Sequence, residues 1–327
     1  MSTTRRDFIA CAAGAFAAAG LLPWHAANGQ QAWPVKPIKL VNMGPPGSPP
    51  DTYARIYAER LAKAFGVPVV VDNRPGAGAN LASDAVAKAP PDGYTLLYTV
   101  SSAFVVNPFI YRKLPFDVDK DLKPVAPLLT QGSFVVVNND LPVKSIHELV
   151  AYAKEHPGQL AYASYGVGGF PHLIMELLSQ AAKIQMLHVP YKAGPMTDVI
   201  SGQVQLMAEP AASAIPMIKA GKVRPIAYTG PKRHAQFPAL PTVAETYSEV
   251  VSFGWHGLWA PAGVPGEIVQ RLNAELTRIT RLPEVMTKIQ ELGSEPLSAT
   301  PAAMSSMVRL EAKKWGGLIR AKGITVD

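Results

Sequence analysis

Five short turns in this sequence carry residue types that can hold a small charged molecule: GPPGSPPD (44–51), NRPGAGAN (73–80), the pair Ser101 and Ser102, SYGVGGFPH (164–172) and YKAGPMTD (191–198). Each follows an apolar run and precedes a stretch with helical spacing. Glycine lets backbone approach closely, serine offers a hydroxyl, and a helix N-terminus offers N–H groups with no partner inside the helix. Together these suit a carboxylate or a phosphate. In an α/β sheet such turns gather at the C-terminal ends of the strands, where ligands bind. A glycine-rich turn is also an ordinary connection, so five in one chain weigh more than any one alone.

The chemistries that would make this chain an enzyme lack their patterns. There is no His-Glu-x-x-His, and His147 and His156 are nine residues apart, the wrong helical spacing for a shared metal. SYGVGG is Ser-x-Gly-x-Gly, not the Gly-x-Ser-x-Gly of a nucleophile elbow. Ser164 with His172 or His188 and Asp198 supplies the residue types of a triad, but such a set occurs by chance in most chains. NRPGAGAN lacks the third glycine of a dinucleotide loop, and no acidic residue stands at a later strand end. What remains is a set of turns suited to binding, with no cofactor or metal called for; an exported serine hydrolase using Ser164 is the alternative of a different class.

The elements that must position these turns alternate along the chain. Strands are expected at 37–43, 68–72, 94–99, 125–130, 134–138, 159–163, 186–189, 204–208, 223–229 and 252–260. Helices are expected near 51–65, 80–88, 145–155, 171–182, 194–201 and 211–219, with three more at 265–280, 283–292 and 301–321. The alternation predicts an α/β protein with mostly parallel sheets. Ile268, Leu272, Leu276 and Ile279 mark the core stripe of the first C-terminal helix. Two stretches read as passages between lobes: LLTQGSFVVVN, broken by Gly132, and the proline-rich TGPKRHAQFPALPTVAE. Two crossings make a hinge and a cleft, a Venus-flytrap layout, with lobes of 33–130 plus 231–327 and of 131–230. A single doubly wound domain with one long loop would use the same elements.

Residues 1–29 read as a removed export signal, not as fold. Arg5 and Arg6 precede Asp7, Phe8 and Ile9 in a twin-arginine-like pattern, and the apolar run from Ile9 to Leu22 is too short to span a bilayer. Cleavage is expected between Ala27 and Gln31, which makes the mature protein an exported one. Cys11 is the one cysteine and lies within this signal, so the mature chain uses no disulfide. Losing the signal takes the formal charge from +7 to +6. The basic residues are scattered and not interleaved with aromatics, which argues against nucleic acid as a partner.

From about Trp33 onward the chain resembles the Bug-type receptors, the periplasmic solute-binding components of tripartite tricarboxylate transporters. The segments that carry the resemblance are WPVKPIKLV, VDNRPGAGAN, APPDGYTLL, NPFIYRKLPFD, LPVKSIHELVAYAKEHPGQLAYASYGVGG, HVPYKAG, GQVQLM, ALPTVAE and WHGLWAPAGVP. The resemblance implies two α/β lobes closing on an organic carboxylate, with integral membrane transporter subunits as partners and a monomeric receptor. A ligand sensor not coupled to uptake is the other role such a receptor can take.

Where the family's first loop reads Pro-Phe-Pro-Ala-Gly-Gly-Gly-Thr-Asp, this chain has MGPPGSPPD, with Ser48, Pro49 and Pro50 in place of Gly, Gly and Thr. Pro45 and Pro46 stiffen that loop, leaving the amides of Gly47, Ser48, Asp51 and Thr52, and Asp51 is expected as the helix N-cap. The family's second pincer corresponds to Ser164–Gly169, and its usual Asp-Asn near 209 is Glu209–Pro210 here. The residues expected at the ligand are Pro46, Gly47, Ser48 and Asp51 in the first turn, Gly78 and Asn80 in the second, and Ser101 and Ser102 in the third. Ser164, Tyr165, Gly166, Val167, Gly168 and His172 follow in the fourth, then Tyr191 and Glu209. Pro49, Pro50, Tyr165 and Phe170 exchange donors for apolar surface, so an aromatic acid or a dicarboxylate is favoured over a compact tricarboxylate.

Overall fold

The strand β4 (Leu122–Val137) organises the molecule. The computed structural model describes residues 33–326, so the export signal expected at 1–29 lies outside the described residues. Around β4 run β1 (Ile38–Asn42), β2 (Val69–Asn73), β3 (Thr95–Val100), β5 (Ala161–Ser164), β6 (Leu187–Pro190), β7 (Leu206–Pro210), β8 (Arg224–Tyr228), β9 (Phe253–Pro261) and β10 (Glu295–Pro296). The hydrogen-bonded order is β2-β1-β3-β9-β4-β7-β5-β6, with β8 and β10 also on β4. Residues from Lys36 onward form one compact unit.

Two expected strands, 125–130 and 134–138, are one continuous strand. Up to Gly132, β4 pairs with β9; from Ser133 it pairs with β7, and from Phe134 with β8. Its register with β9 shifts between Pro124 and Ala126 and again between Pro127 and Leu129, as expected where proline has no N–H for the ladder. Gly132 continues the strand instead of breaking it. Its N–H donates to Tyr228 Oη at 2.8 Å, and the Tyr228 ring occupies the space a side chain would need.

The sheet is mixed, which corrects the mostly parallel expectation. β1 pairs in parallel with β2 and β3, and β5 with β6 and β7. Every pairing made by β9 and β4 is antiparallel. The alternation read correctly near β1–β3 and β5–β7, where helices supply the crossovers that parallel pairing requires. It did not apply at the centre, where longer connections deliver β9 and β4 in the opposite direction.

The helices are α1 (Pro49–Phe65), α2 (Asn80–Ala87), α3 (Ser102–Val105), α4 (Asn107–Ile110), α5 (Val118–Asp121), α6 (Ile146–Glu155), α7 (Phe170–Ala182), α8 (Pro195–Ser201), α9 (Ala211–Lys219), α10 (Gly266–Thr280), α11 (Pro283–Glu291) and α12 (Pro301–Lys322). On α10 the buried stripe is Val269, Leu272, Leu276 and Ile279, with Val269 in the place expected for Ile268. Successive β4 residues feed opposite faces: Val135 and Val137 join the core with Tyr162 and Leu178, while Phe134 and Val136 join that with Ala163 and Met207. A third core holds Trp255, Trp259, Phe104 and the inner face of α12.

The chain passes between the two sheet sections twice, at Gly132–Ser133 inside β4 and through 229–252 between β8 and β9. These passages are tied together at one point. The Ser133 N–H donates to Thr229 Oγ1 at 2.9 Å, and that hydroxyl donates to the Ser252 carbonyl at 2.7 Å. The Thr229 N–H returns a bond to the Ser133 carbonyl, and the Ser252 N–H to the Thr229 carbonyl. A Cβ added at Gly132 would stand 2.6 Å from the Tyr228 ring, whereas one at Gly254 meets nothing closer than 3.6 Å. Gly132→Ala is expected to destabilise by about 1–3 kcal/mol through overpacking, seen as a fall of several degrees in melting temperature. Gly254→Ala should leave the melting temperature nearly unchanged; equal effects would show that the close approach at Gly132 is not a constraint.

Candidate functional site

A cavity of about 400 Å³ opens where the two sheet sections meet at β4. The turns after β1, β3, β5 and β7 supply most of its wall: Met43, Pro49 and Pro50; Val100, Ser101 and Ser102; Tyr165, Phe170 and Pro171; and Glu209, Pro210, Ala212 and Ser213. Gln131 and Ser133 of β4 and Gly254, Trp255 and His256 of β9 form the rest. Four strand ends thus converge on one site, the place an α/β sheet offers a ligand. A larger groove of about 660 Å³, lined by α4, α5 and α12, lies away from these turns.

The first turn is rigid because it bonds to itself. Ser48, not Asp51, stands at the N-cap of α1, and its side chain makes no capping bond. The Ser48 hydroxyl donates to the Pro45 carbonyl at 2.6 Å. Asp51 sits in the first helical turn, buried, and accepts from the Gly47 N–H and Arg55 Nε at 2.9 Å each and from Asn73 Nδ2 at 2.9 Å. Burial pushes the Asp51 carboxyl up, but the bonds from Arg55, Gly47 and Asn73 outweigh it and hold it below the usual carboxylate range. The amides of Ser48 and Thr52 go to the carbonyls of Pro45 and Ser48. Three of the four amides expected to be free are therefore committed, and the turn presents the rings of Pro49 and Pro50 to the cavity instead.

The fourth turn is built the same way. The Gly166 N–H donates to Ser164 Oγ at 3.2 Å, the Gly168 N–H to His172 Nδ1 at 3.0 Å and the Gly169 N–H to the Gly166 carbonyl at 3.4 Å. Gly166 and Gly168 have φ of +109° and +76°, a region that favours glycine. Below the turn the His172 and His188 rings stack 3.8 Å apart, and Tyr162 stacks on His188. Ser164 is fully buried, with its Oγ 2.6 Å from His188 Nε2. Burial, then the neighbouring His188, pushes the His172 ring down to about 4; burial also lowers His188. The set imagined as a triad does not assemble, because Asp198 accepts from Tyr191 Oη at 2.6 Å and Glu176 accepts from Tyr162 Oη and pairs with Lys322.

What this turn does give the cavity is Tyr165 and Phe170. Tyr165 Oη reaches both carboxyl oxygens of Glu209, at 2.9 and 3.1 Å. Glu209 is 1% exposed, and burial pushes its carboxyl up to about 7 against the bonds from Tyr165 and Ser213. His256, across the cavity, is pushed down to about 3 by burial and hydrogen-bonds Tyr98 Oη through Nδ1 at 2.9 Å.

Of the residues expected at the ligand, Ser101, Ser102, Tyr165 and Glu209 line the cavity. Pro46, Gly47, Ser48, Asp51, Ser164, Gly166, Val167, Gly168 and His172 belong to the turns behind it. Gly78 and Asn80 are tied to Asn107, whose Nδ2 donates to the Gly78 carbonyl at 2.8 Å and to Asn80 Oδ1 at 2.7 Å. Tyr191 is engaged with Asp198. Sequence reasoning missed Gln131, Ser133, Ala212, Ser213, Trp255 and His256. The signal available was that Gln131, Ser133 and His256 lie in or beside the passages between sheet sections. Among the described residues no three His, Cys, Asp or Glu side chains gather as a metal site, and no helix is long and apolar enough to cross a membrane.

Residues 53–324 match the model of the tripartite tricarboxylate transporter family receptor. Protein BugT of Bordetella pertussis (strain Tohama I) is 34% identical over 295 residues, spanning 89% of this chain and 90% of BugT. The structure is similar to that of R. palustris Rpa4515 with adipate, with a TM-score of 0.83 and 32% identity over 90% of this chain and 99% of that one. It is similar also to MatC (Rpa3494) from Rhodopseudomonas palustris with bound malate, with a TM-score of 0.78 and 29% identity over 88% of this chain and 100% of that one. The chain therefore has the α/β fold of these proteins along nearly its whole described length.

His172 is neutral and buried in the fold but titrates near 6.5 in the unfolded chain. Between those two values the unfolded state binds more protons, so this residue's contribution to stability is present above pH 6.5 and is lost as pH falls toward 4. His172→Asn keeps an acceptor at the Nδ1 position for the Gly168 N–H and removes the titration. The drop in melting temperature from pH 7 to pH 4.5 is expected to be smaller in the variant than in the parent protein; an equal drop would mean that this ring does not set the acid response.

Proposed function

The chain belongs to the tripartite tricarboxylate transporter receptor family, and on that premise we propose that it is a periplasmic receptor that captures a small organic carboxylate and delivers it to integral membrane transporter subunits. The observation that carries this reading is the cavity at the convergence of four strand–helix turns, in a fold shared with proteins seen with adipate and with malate. Ala212 and Ser213 of the first turn of α9 line this cavity, and the N–H groups of a first helical turn have no partner within the helix. The helix dipole adds to their attraction for an anion.

The rest of the wall suits an apolar body. Met43, Pro49, Pro50, Phe170 and Trp255 present hydrocarbon and aromatic faces, and among the described residues no lysine or arginine lines the cavity. A compact tricarboxylate would bring more charge than these donors can pair, and unpaired buried charge is costly. A mono- or dicarboxylate with an aromatic or methylene body places one charged end at the α9 amides and buries the rest. Closure moves the sheet section of 131–230 against that of 33–130 plus 231–327, bending at Gly132–Ser133 and at 229–252. The Ser133–Thr229–Ser252 bonds hold the two passages side by side, which supports a common bending axis.

Calorimetry with mono-, di- and tricarboxylates, amino acids included, is expected to find a micromolar ligand among the mono- and dicarboxylates, with citrate at least about tenfold weaker. Ala212→Phe fills the cavity at the α9 end and should lower that affinity at least about tenfold without shifting the melting temperature. X-ray scattering should show a smaller radius of gyration on binding. A panel in which no acid binds, or an Ala212→Phe variant that binds as the parent does, overturns the reading.

A further inference from the structure

Resting on the receptor reading for the motion between the sheet sections, we infer that the contact of α7 with α12 is a latch, and that Lys322, which touches no ligand, helps to set how tightly every ligand is held. α7 follows the fourth turn, in the section of 131–230, and α12 closes the section of 33–130 plus 231–327. Steps of three along α7 set Phe170, Leu173 and Glu176 side by side. Phe170 meets the Trp315 ring edge-on, with centroids 5.4 Å apart. Leu173 is fully buried in the core that holds Trp315, Leu318 and Ile319. Glu176 Oε2 pairs with Lys322 Nζ at 3.0 Å. The next residue after Leu173, Ile174, belongs instead to the core with Val135 and Tyr162. One helix thus faces two cores, one in each section. Just before it, a Cβ on Gly168 would run into the Ile110 side chain, so the turn also abuts the facing section.

The chain itself joins the sections at Gly132–Ser133 and through 229–252. The α7–α12 contact is a further attachment, made of side chains alone. Phe170 couples it to the cavity, since it lines the cavity and also packs on Trp315. An occupant packed against Phe170 holds that ring in its seat. The seat is fixed from behind, because Glu311 of α12 accepts from Trp255 Nε1 at 3.0 Å, and Trp255 is cavity wall. The charged part of the contact can part at little cost. The Lys322 and Glu176 side chains are 32% and 17% exposed, and Glu176 keeps the Tyr162 hydroxyl within its own section. Phe170 and Leu177, on either side of Leu173, are only partly buried. The latch is the same whichever molecule fills the cavity. It therefore stabilises the closed form by a constant amount and multiplies every affinity by one factor.

The sequence from residue 33 onward has no cysteine, so an introduced thiol reports by itself. In the native protein without ligand, Leu173→Cys is expected to react with a maleimide at least about tenfold faster than Leu178→Cys, because position 173 opens with the latch while 178 stays within one core. Equal protection of the two thiols would mean that the helices do not part, and overturns the inference. Should Leu173→Cys fold poorly, a second arm uses Lys322, titrated with adipate, malate and 3-phenylpropionate. Lys322→Glu, set against Glu176, should weaken each acid that binds by the same factor, at least about threefold, through faster dissociation, while Lys322→Arg binds as the parent does. A loss confined to one acid, or no loss, overturns the inference as well. The thiol arm needs no ligand, which keeps the two readings apart. A panel in which no acid binds sinks the receptor reading and with it the affinity role of Lys322, whereas equal thiol protection sinks the latch alone.

Discussion

The site exists because one strand belongs to two sheet sections. β4 gives its first part to β9 and its last five residues to β7, and the cavity sits at the change of partner. Gln131 and Ser133 line the cavity on either side of Gly132. The amide of Gly132 is held by the Tyr228 hydroxyl, so the backbone here is satisfied without a neighbouring strand on that side. The Ser133–Thr229–Ser252 bonds then place the return passage against the outgoing one.

Because the turns around the cavity satisfy most of their own amides, they act as fixed walls more than as a bed of donors. Asp51 and His172 serve this purpose. The first gathers Gly47, Arg55 and Asn73; the second takes the Gly168 N–H. Both are polar side chains used inside the protein to fix a turn, and a fixed turn loses little entropy when a ligand arrives. Met43, Pro49, Pro50, Phe170 and Trp255 make one part of the remaining wall apolar, while Ser101, Ser102, Gln131, Ser133, Glu209 and the open end of α9 supply its polar groups. Burial raises the Glu209 carboxyl while it lowers His172, His188 and His256, one desolvation cost acting on groups of opposite charge type.

The order of elements was legible in the sequence because it rests on local physics. Strand runs such as 37–43 and helical runs such as 211–219 are set by side-chain periodicity and by glycine and proline at their ends, and the structure has them within a residue or two. The turns at strand ends were legible for the same reason; Ser101 and Ser102 came from those turns, Tyr165 and Glu209 from the family resemblance, and all four line the cavity. What remained hidden were choices between partners. Periodicity cannot say that Asp51 spends its carboxylate on the Gly47 amide and leaves the cap to Ser48. Nor can it say that Gly132 continues a strand because the hydroxyl of a tyrosine 96 residues away accepts its N–H and the ring fills the space beside it.

By itself, then, the sequence determined the alternating α/β elements, the small-residue turns between them and the absence of the familiar catalytic patterns, all of which depend on residues within a few positions of one another. The tertiary structure alone decided which strands run antiparallel at the centre, which turn amides are already bonded, and that a buried acid with no cationic partner among the described residues lines the cavity. Those outcomes depend on long-range pairing. Strand direction follows from how β9 returns to β4, and the isolation of Glu209 from how the surrounding charges find other partners.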